Sequence, residues 1–248
     1  MGCVMSRPNT IKIYDGPSEL DGRPIIVLIS GFVRQSKNTK TGGRMLQMWI
    51  MRKDVAPHEA VKSGDDASVC GDCPLRPVVW RATPPEDRVS DKPCYVKTFQ
   101  APRATWAANK DREVASLPVV RALIAKRKFG PQLRRGAYGD PAAVPMHIWE
   151  GLEGPGTGYT HQWRGPNAVI LRSHVMASVH SAEERTEAMR RGFRTFRIIS
   201  DVSELLPGEI SCPASKEGGA RTTCQDCGLC DGSRGKNDKR KTIAIIAH

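Results

Sequence analysis

A chain of 248 residues with 39% hydrophobic and 26% charged content has the composition of a folded domain with one sizeable core, which excludes fibrous and disordered classes. Its formal charge of +12 favours polyanions as partners. The longest apolar run, PIIVLI (24–29), is far short of the roughly 20 residues that cross a bilayer, so no membrane partner is expected.

The opening MGCVMS matches the spacing of a myristoylation signal, but no basic amphipathic helix follows, and it is read as a chance match. No secretory signal is recognisable, so cytoplasm is the expected location, the host's cytoplasm if the chain is phage-encoded. Residues 1–20 read as an N-terminal extension and 21–248 as a single domain. RPIIVLISGF and RMLQMWIMRK read as two strands around a turn-prone, polar segment. SKNTKTGG lacks the spacing of a Walker A loop. The stretch PLRPVVWRATPPEDRVSDKP is too rich in proline to predict regular structure. A helix is expected from about Trp106 to Lys128, interrupted at Pro118.

From Gln132 the pattern alternates. Strands are predicted in QLRRGAYG, GTGYTHQW, HVMASVHS and FRTFRIISD. Between them lie helices in PAAVPMHIWEGLEG, PNAVILRS and AEERTEAMRRG, the last capped by Ser181. Such alternation means parallel strands joined by crossovers, in a (βα) barrel or a doubly wound sheet. Each predicted strand ends on chemically capable groups: Tyr138 and Asp140, His161 and Gln162, Ser178 and His180, Ser200 and Asp201. A barrel gathers all such ends at one mouth, so the expected fold is an α/β, barrel-like parallel sheet, reduced in size, with cysteine-rich metal-binding insertions at 70–94 and 212–248.

Eight cysteines in a cytoplasmic chain point to metal or redox work, and seven of them are grouped. Cys224, Cys227 and Cys230 repeat a C-x-x-C spacing that suits soft-metal binding, with Cys212 or His248 as the fourth ligand. KTIAIIAH reads as a strand that would return His248 to them. Cys70, Cys73 and Cys94 form a second set, which could share Cys212 or hold an iron–sulfur cluster instead of zinc. Asp140 and Asp201 are the candidate catalytic carboxylates, and as a pair they suit attack on a glycosidic bond. As turn residues they would be an Asp before Pro141 and a helix cap. His161 and His180 are candidate acid–base groups. Tyr138, Gln162, Ser178 and Arg135 are candidate substrate-binding residues, with Tyr159 and Trp163 as further stacking candidates. Basic residues cluster at 103–135, 185–197 and 221–241, which favours a nucleic-acid partner, DNA ahead of RNA.

Through SKNTKTGG, CGDCPLR, KPCYV, AYGDPAAVP, YTHQW, ASVHS and CQDCGLC the chain resembles phage- and plasmid-borne cysteine-rich proteins of unsettled function. It is more distantly similar to the queuine-type guanine transglycosylases, (βα) barrels with a zinc-binding C-x-C-x-x-C module and a downstream His. Cys224, Cys227, Cys230 and His248 match that order, with x2 in place of x1 at the first spacing. The loops DSGGFQ and GGLAVGE of that family have no counterpart. The similarity implies exchange of guanine in DNA for a 7-deazaguanine base, with Asp140 as nucleophile, Asp201 as its partner and zinc as the clamp. Two other readings stand beside it. One is an iron–sulfur enzyme, similar to radical S-adenosylmethionine enzymes, acting on nucleic acid. The other is a zinc-stabilised nucleic-acid-binding protein without catalysis.

Overall fold

The computed structural model describes residues 8–35, 38, 41–127, 130 and 132–246. The chain opens with an antiparallel meander of β1 (Thr10–Pro17), β2 (Pro24–Ser30) and β3 (Leu46–Arg52). In β2, Ile25 to Ile29 are all fully buried, as expected of an unbroken apolar run covered on both faces. β1 falls inside the stretch read as an N-terminal extension, so that stretch contributes to the sheet. Three short helices follow: α1 (Pro57–Ser63), α2 (Ala67–Cys70) and α3 (Pro77–Ala82). α3 forms within the proline-rich stretch read as irregular, because Pro77 sits in the first turn, where a missing N–H costs nothing. The expected helix from Trp106 is two, α4 (Ala101–Asn109) and α5 (Leu117–Ala125), and Pro118 starts the second instead of interrupting the first.

The remaining strands are β4 (Leu133–Tyr138), β5 (Gly156–Thr160), β6 (Met176–Val179), β7 (Thr195–Ile199), β8 (Glu209–Ser211) and β9 (Thr242–Ile246). Together the strands form one sheet, in the order β1-β2-β3-β4-β5-β6-β7-β9-β8. Every pair from β3 onward is parallel. The sheet is mixed α/β and mostly parallel, and it does not close into the expected barrel. One edge is β1, antiparallel to β2 and already bridged on its outer side, Lys12 to Val114. The other is the three-residue β8. Closure would require these edges to pair, and the meander replaces the parallel strands that would complete a ring.

The sheet separates two layers. On one face Ala177 and Val179 of β6 pack with Ile148 and Trp149 of α6 (Met146–Glu150), Leu171 of α7 (Ala168–Leu171) and Ala188 of α8 (Ala182–Arg190). On the other, Met176 packs with Cys212, Cys230, Tyr159 and Phe196. The strand period of two thus puts helices behind the sheet and cysteine-bearing segments in front. The single helix expected over PAAVPMHIWEGLEG is a 3₁₀ turn, Pro141–Ala143, followed by α6, with Pro145 between them. Ser181 caps α8, its hydroxyl accepting from the Glu184 N–H. Among the described residues no helix is long and apolar enough to cross a membrane.

Candidate functional site

The parallel strands finish along one edge, and the segment after β3 folds back over it. Cys70 ends α2, and Gly71 follows with φ +59°, where an added side chain would run into the Gln162 amide. Gln162, just past β5, donates to the Cys70 carbonyl and the Asp72 carboxylate. The Cys73 sulfur lies 3.8 Å from His161 Nε2. The Cys94 N–H donates to the Leu75 carbonyl at 2.8 Å, which brings the third thiol alongside. His161 in turn stacks on His180 at the end of β6, with 5.4 Å between ring centroids and 14° between planes. Cys70, Cys73, Cys94, His161 and His180 therefore meet at one mouth, which joins the expected histidine pair to a cysteine set read separately from it.

Asp140 lies at this mouth, behind the histidines. Gly139, with φ +85° and no room for a side chain beside the Ile50 carbonyl, turns the chain out of β4. The Asp140 carboxylate then accepts from the Ala142 N–H at 2.9 Å, the Thr160 hydroxyl at 2.7 Å and the His161 N–H at 2.8 Å. Burial raises its pKa to about 6 against the pull of those three donors. Burial, and then the neighbouring His180, push His161 down to about 3, so the stacked pair is uncharged near neutrality. Asp140 thus fixes the β4 and β5 ends in register. Thr160, its buried partner, carried no signal in the sequence beyond its place at a strand end.

Burial pushes Cys73 up to about 12 and raises Cys70 and Cys94, so none is a ready nucleophile. Yet the N–H groups of Leu75 and Arg76 point at the Cys73 sulfur, and that of Val96 at Cys94. A neutral thiol gains little from such donors, whereas a metal-bound thiolate is stabilised by them. The buried polar atoms without a partner here include Tyr138 Oη, Arg76 Nε and both ring nitrogens of His180. The donor set fits a sulfur-loving group. Among the described residues, no three Cys, His, Asp or Glu side chains are arranged to hold a metal ion.

The second cysteine set lies on the front of the sheet. Cys230 is buried and pushed up to about 12, chiefly by burial, with the Tyr159 hydroxyl pulling the other way and Cys212, Cys224 and Cys227 close by. Cys224 and Cys227 bound a single helical turn, α9 (Cys224–Cys227), with Thr223 as its cap. Two buried arginines pin the segment that carries Cys230. Arg135 reaches Asp231 at 3.4 Å, and Arg194 donates to the carbonyls of Leu229 and Asp231. Cys212 therefore belongs with the late cysteines and not with Cys70. His248, the other candidate fourth ligand, lies outside the described residues, as does the N-terminal Cys3.

Other expected site residues lie elsewhere. Asp201 is exposed at the end of β7, three strands from β4, and caps the 3₁₀ turn Val202–Glu204 in a reciprocal capping box. It does not pair with Asp140. Arg135 is an internal clamp, also donating to the His174 and Gly154 carbonyls, and it is not a substrate-binding group. Ser178 is buried, and its carbonyl accepts from the Trp163 indole. Tyr138 is buried near Cys70. The basic clusters are partly internal too: Arg197 pairs with buried Glu209 at 2.8 Å, and Arg240 with Asp238 at 2.6 Å. No protein-family profile matches this chain, and no curated protein or solved structure matches it.

Proposed function

We propose that this chain is an iron–sulfur enzyme acting on nucleic acid, with Cys70, Cys73 and Cys94 as the cluster ligands. The observation that carries this reading is the approach of three half-buried thiols, two of them receiving backbone N–H groups, to the His161–His180 stack at the strand ends. Cys70, Cys73 and Cys94 would hold such a cluster, which would supply one-electron chemistry when bound. The chain's own residues define its surroundings. The uncharged His161–His180 pair offers a polar but proton-poor wall, and His180 retains two ring nitrogens to engage a ligand. Asp140 keeps β4 and β5 aligned beneath it. The +12 charge supports nucleic acid as the substrate class.

Guanine exchange through Asp140 has less support, because both carboxylate oxygens are engaged and no second carboxylate lies within its hydrogen-bonding circle. The test is anaerobic purification followed by absorbance, iron and acid-labile sulfide analysis. A brown protein that Cys73→Ser bleaches at the mouth, with altered nucleosides in DNA or RNA from expressing cells, is expected. A colourless, zinc-loaded protein prepared without oxygen overturns the proposal.

A further inference from the structure

The segment that delivers Cys94 carries two strongly exposed aromatic rings, Tyr95 at 68% and Phe99 at 60% exposure. Two rings exposed within five residues of one another form a local apolar patch, the kind of surface feature that marks a binding site. Exposure alternates along this segment. Cys94, Val96 and Thr98 turn inward, Val96 packing on the main core, whereas Tyr95, Lys97 and Phe99 face outward. Lys92 before it and Arg103 after it are also exposed. Two rings and a cation are thus exposed within five residues, with further cations on either side.

Tyr95 is also fixed in place. Its hydroxyl accepts from Arg134 Nη2 at 2.7 Å, and the Arg134 charge lies near Tyr159 and Cys224. Tyr95 therefore adjoins Cys94 of the first set in the chain and is tied through Arg134 toward Cys224 of the second. A ring held by its hydroxyl keeps its faces free for stacking.

We infer that Tyr95 and Phe99 form a stacking platform for the bases of a single-stranded nucleic acid, with Lys92, Lys97 and Arg103 on its phosphates. The chemistry matches: every base has a π-face, alternating rings and cations follow the repeat of base and phosphate, and a paired duplex would hide the faces that the rings need. The inference deepens the nucleic-acid reading above by naming the strand state and the residues that receive it.

The test uses the full chain and fluorescently labelled oligothymidine, with a duplex of equal length, titrated by anisotropy at several salt concentrations. Tight single-strand binding and weak duplex binding are expected. Tyr95→Ala and Phe99→Ala should each weaken single-strand binding about tenfold with the salt slope unchanged. Tyr95→Phe should keep most of the affinity, which separates stacking from the hydroxyl. Lys97→Gln should weaken binding and lower the salt slope by about one. Unchanged affinity in both alanine variants overturns the platform. So does equal affinity for duplex, or a dimer that Tyr95→Ala dissolves, which would make a second copy the occupant. Binding does not require the cluster: a colourless protein that binds through Tyr95 would sink the iron–sulfur reading alone, and a brown one indifferent to Tyr95 would sink the platform alone.

Discussion

The two cysteine sets differ in what surrounds them. The mouth set shares its space with a histidine stack, an unpartnered tyrosine hydroxyl and a buried aspartate. The late set sits among Met176, Ile243, Tyr159 and Phe196, with its backbone clamped by Arg135 and Arg194. The first set lies beside two histidines and a buried carboxylate, whereas the second meets a tyrosine hydroxyl within an apolar setting. The two sets thus differ in their neighbours and not in their own residue chemistry, and the proposal assigns the reactive role to the first.

Cysteine exchange should break this contrast most sharply. Cys230→Ser should cost on the order of 4 kcal/mol of stability by releasing the late segment, seen as a large fall in the denaturation midpoint. Cys73→Ser should abolish activity and mouth iron, with less than about 2 kcal/mol lost from the fold. Equal destabilisation by the two would erase the distinction. Asp140→Asn should come next, costing roughly 2 kcal/mol, because an amide cannot accept from all three donors. Asp201→Asn should cost less than about 1 kcal/mol, since the cap is exposed and an asparagine still caps. Both are read from urea unfolding.

A further effect is one of pH, and it concerns the clamp. His174 packs against Trp149, 5.9 Å between centroids, and its carbonyl accepts from Arg135, which also faces Asp231. Burial first, and then Arg135, lower its pKa to about 4. Between about 4 and its ordinary value near 6.5 the unfolded chain binds the extra proton, so stability is full above that window and falls on acidification through it. With solvent screening the loss should be about 1 kcal/mol. His174→Gln should show a smaller drop between pH 7 and pH 4.5 than the parent, measured by urea midpoints. An identical drop would show that His174 does not titrate on unfolding.

Much of the architecture could be read in advance where periodicity was strong. The parallel strands β4 to β7, the Ser181 cap and the returning strand β9 each follow from a short apolar run with a clear boundary. The edges were not readable in this way. β1 carries TIKIYDGP, whose Lys12 and Asp15 disguise a strand in which Thr10 to Ile13 are all buried. Barrel closure failed as an expectation because it depends on which strands become neighbours at the ends, and no local pattern carries that information. At the site, Asp140, His161 and His180 were placed at one mouth by strand-end position alone. Asp201 shared that signal and proved to be a cap, since a strand end and a helix start look alike in ISDVSE.

Residue chemistry and spacing were enough to establish parallel α/β alternation, two thiol groups and a cation-rich chain, because these depend on neighbours along the backbone. Which thiols stand together, which arginines turn inward, and which aromatic rings stay outside depended on the folded chain. Those choices rest on contacts between residues far apart in sequence, such as Cys73 with His161 and Tyr95 with Arg134. Only packing the sheet brings such pairs within reach.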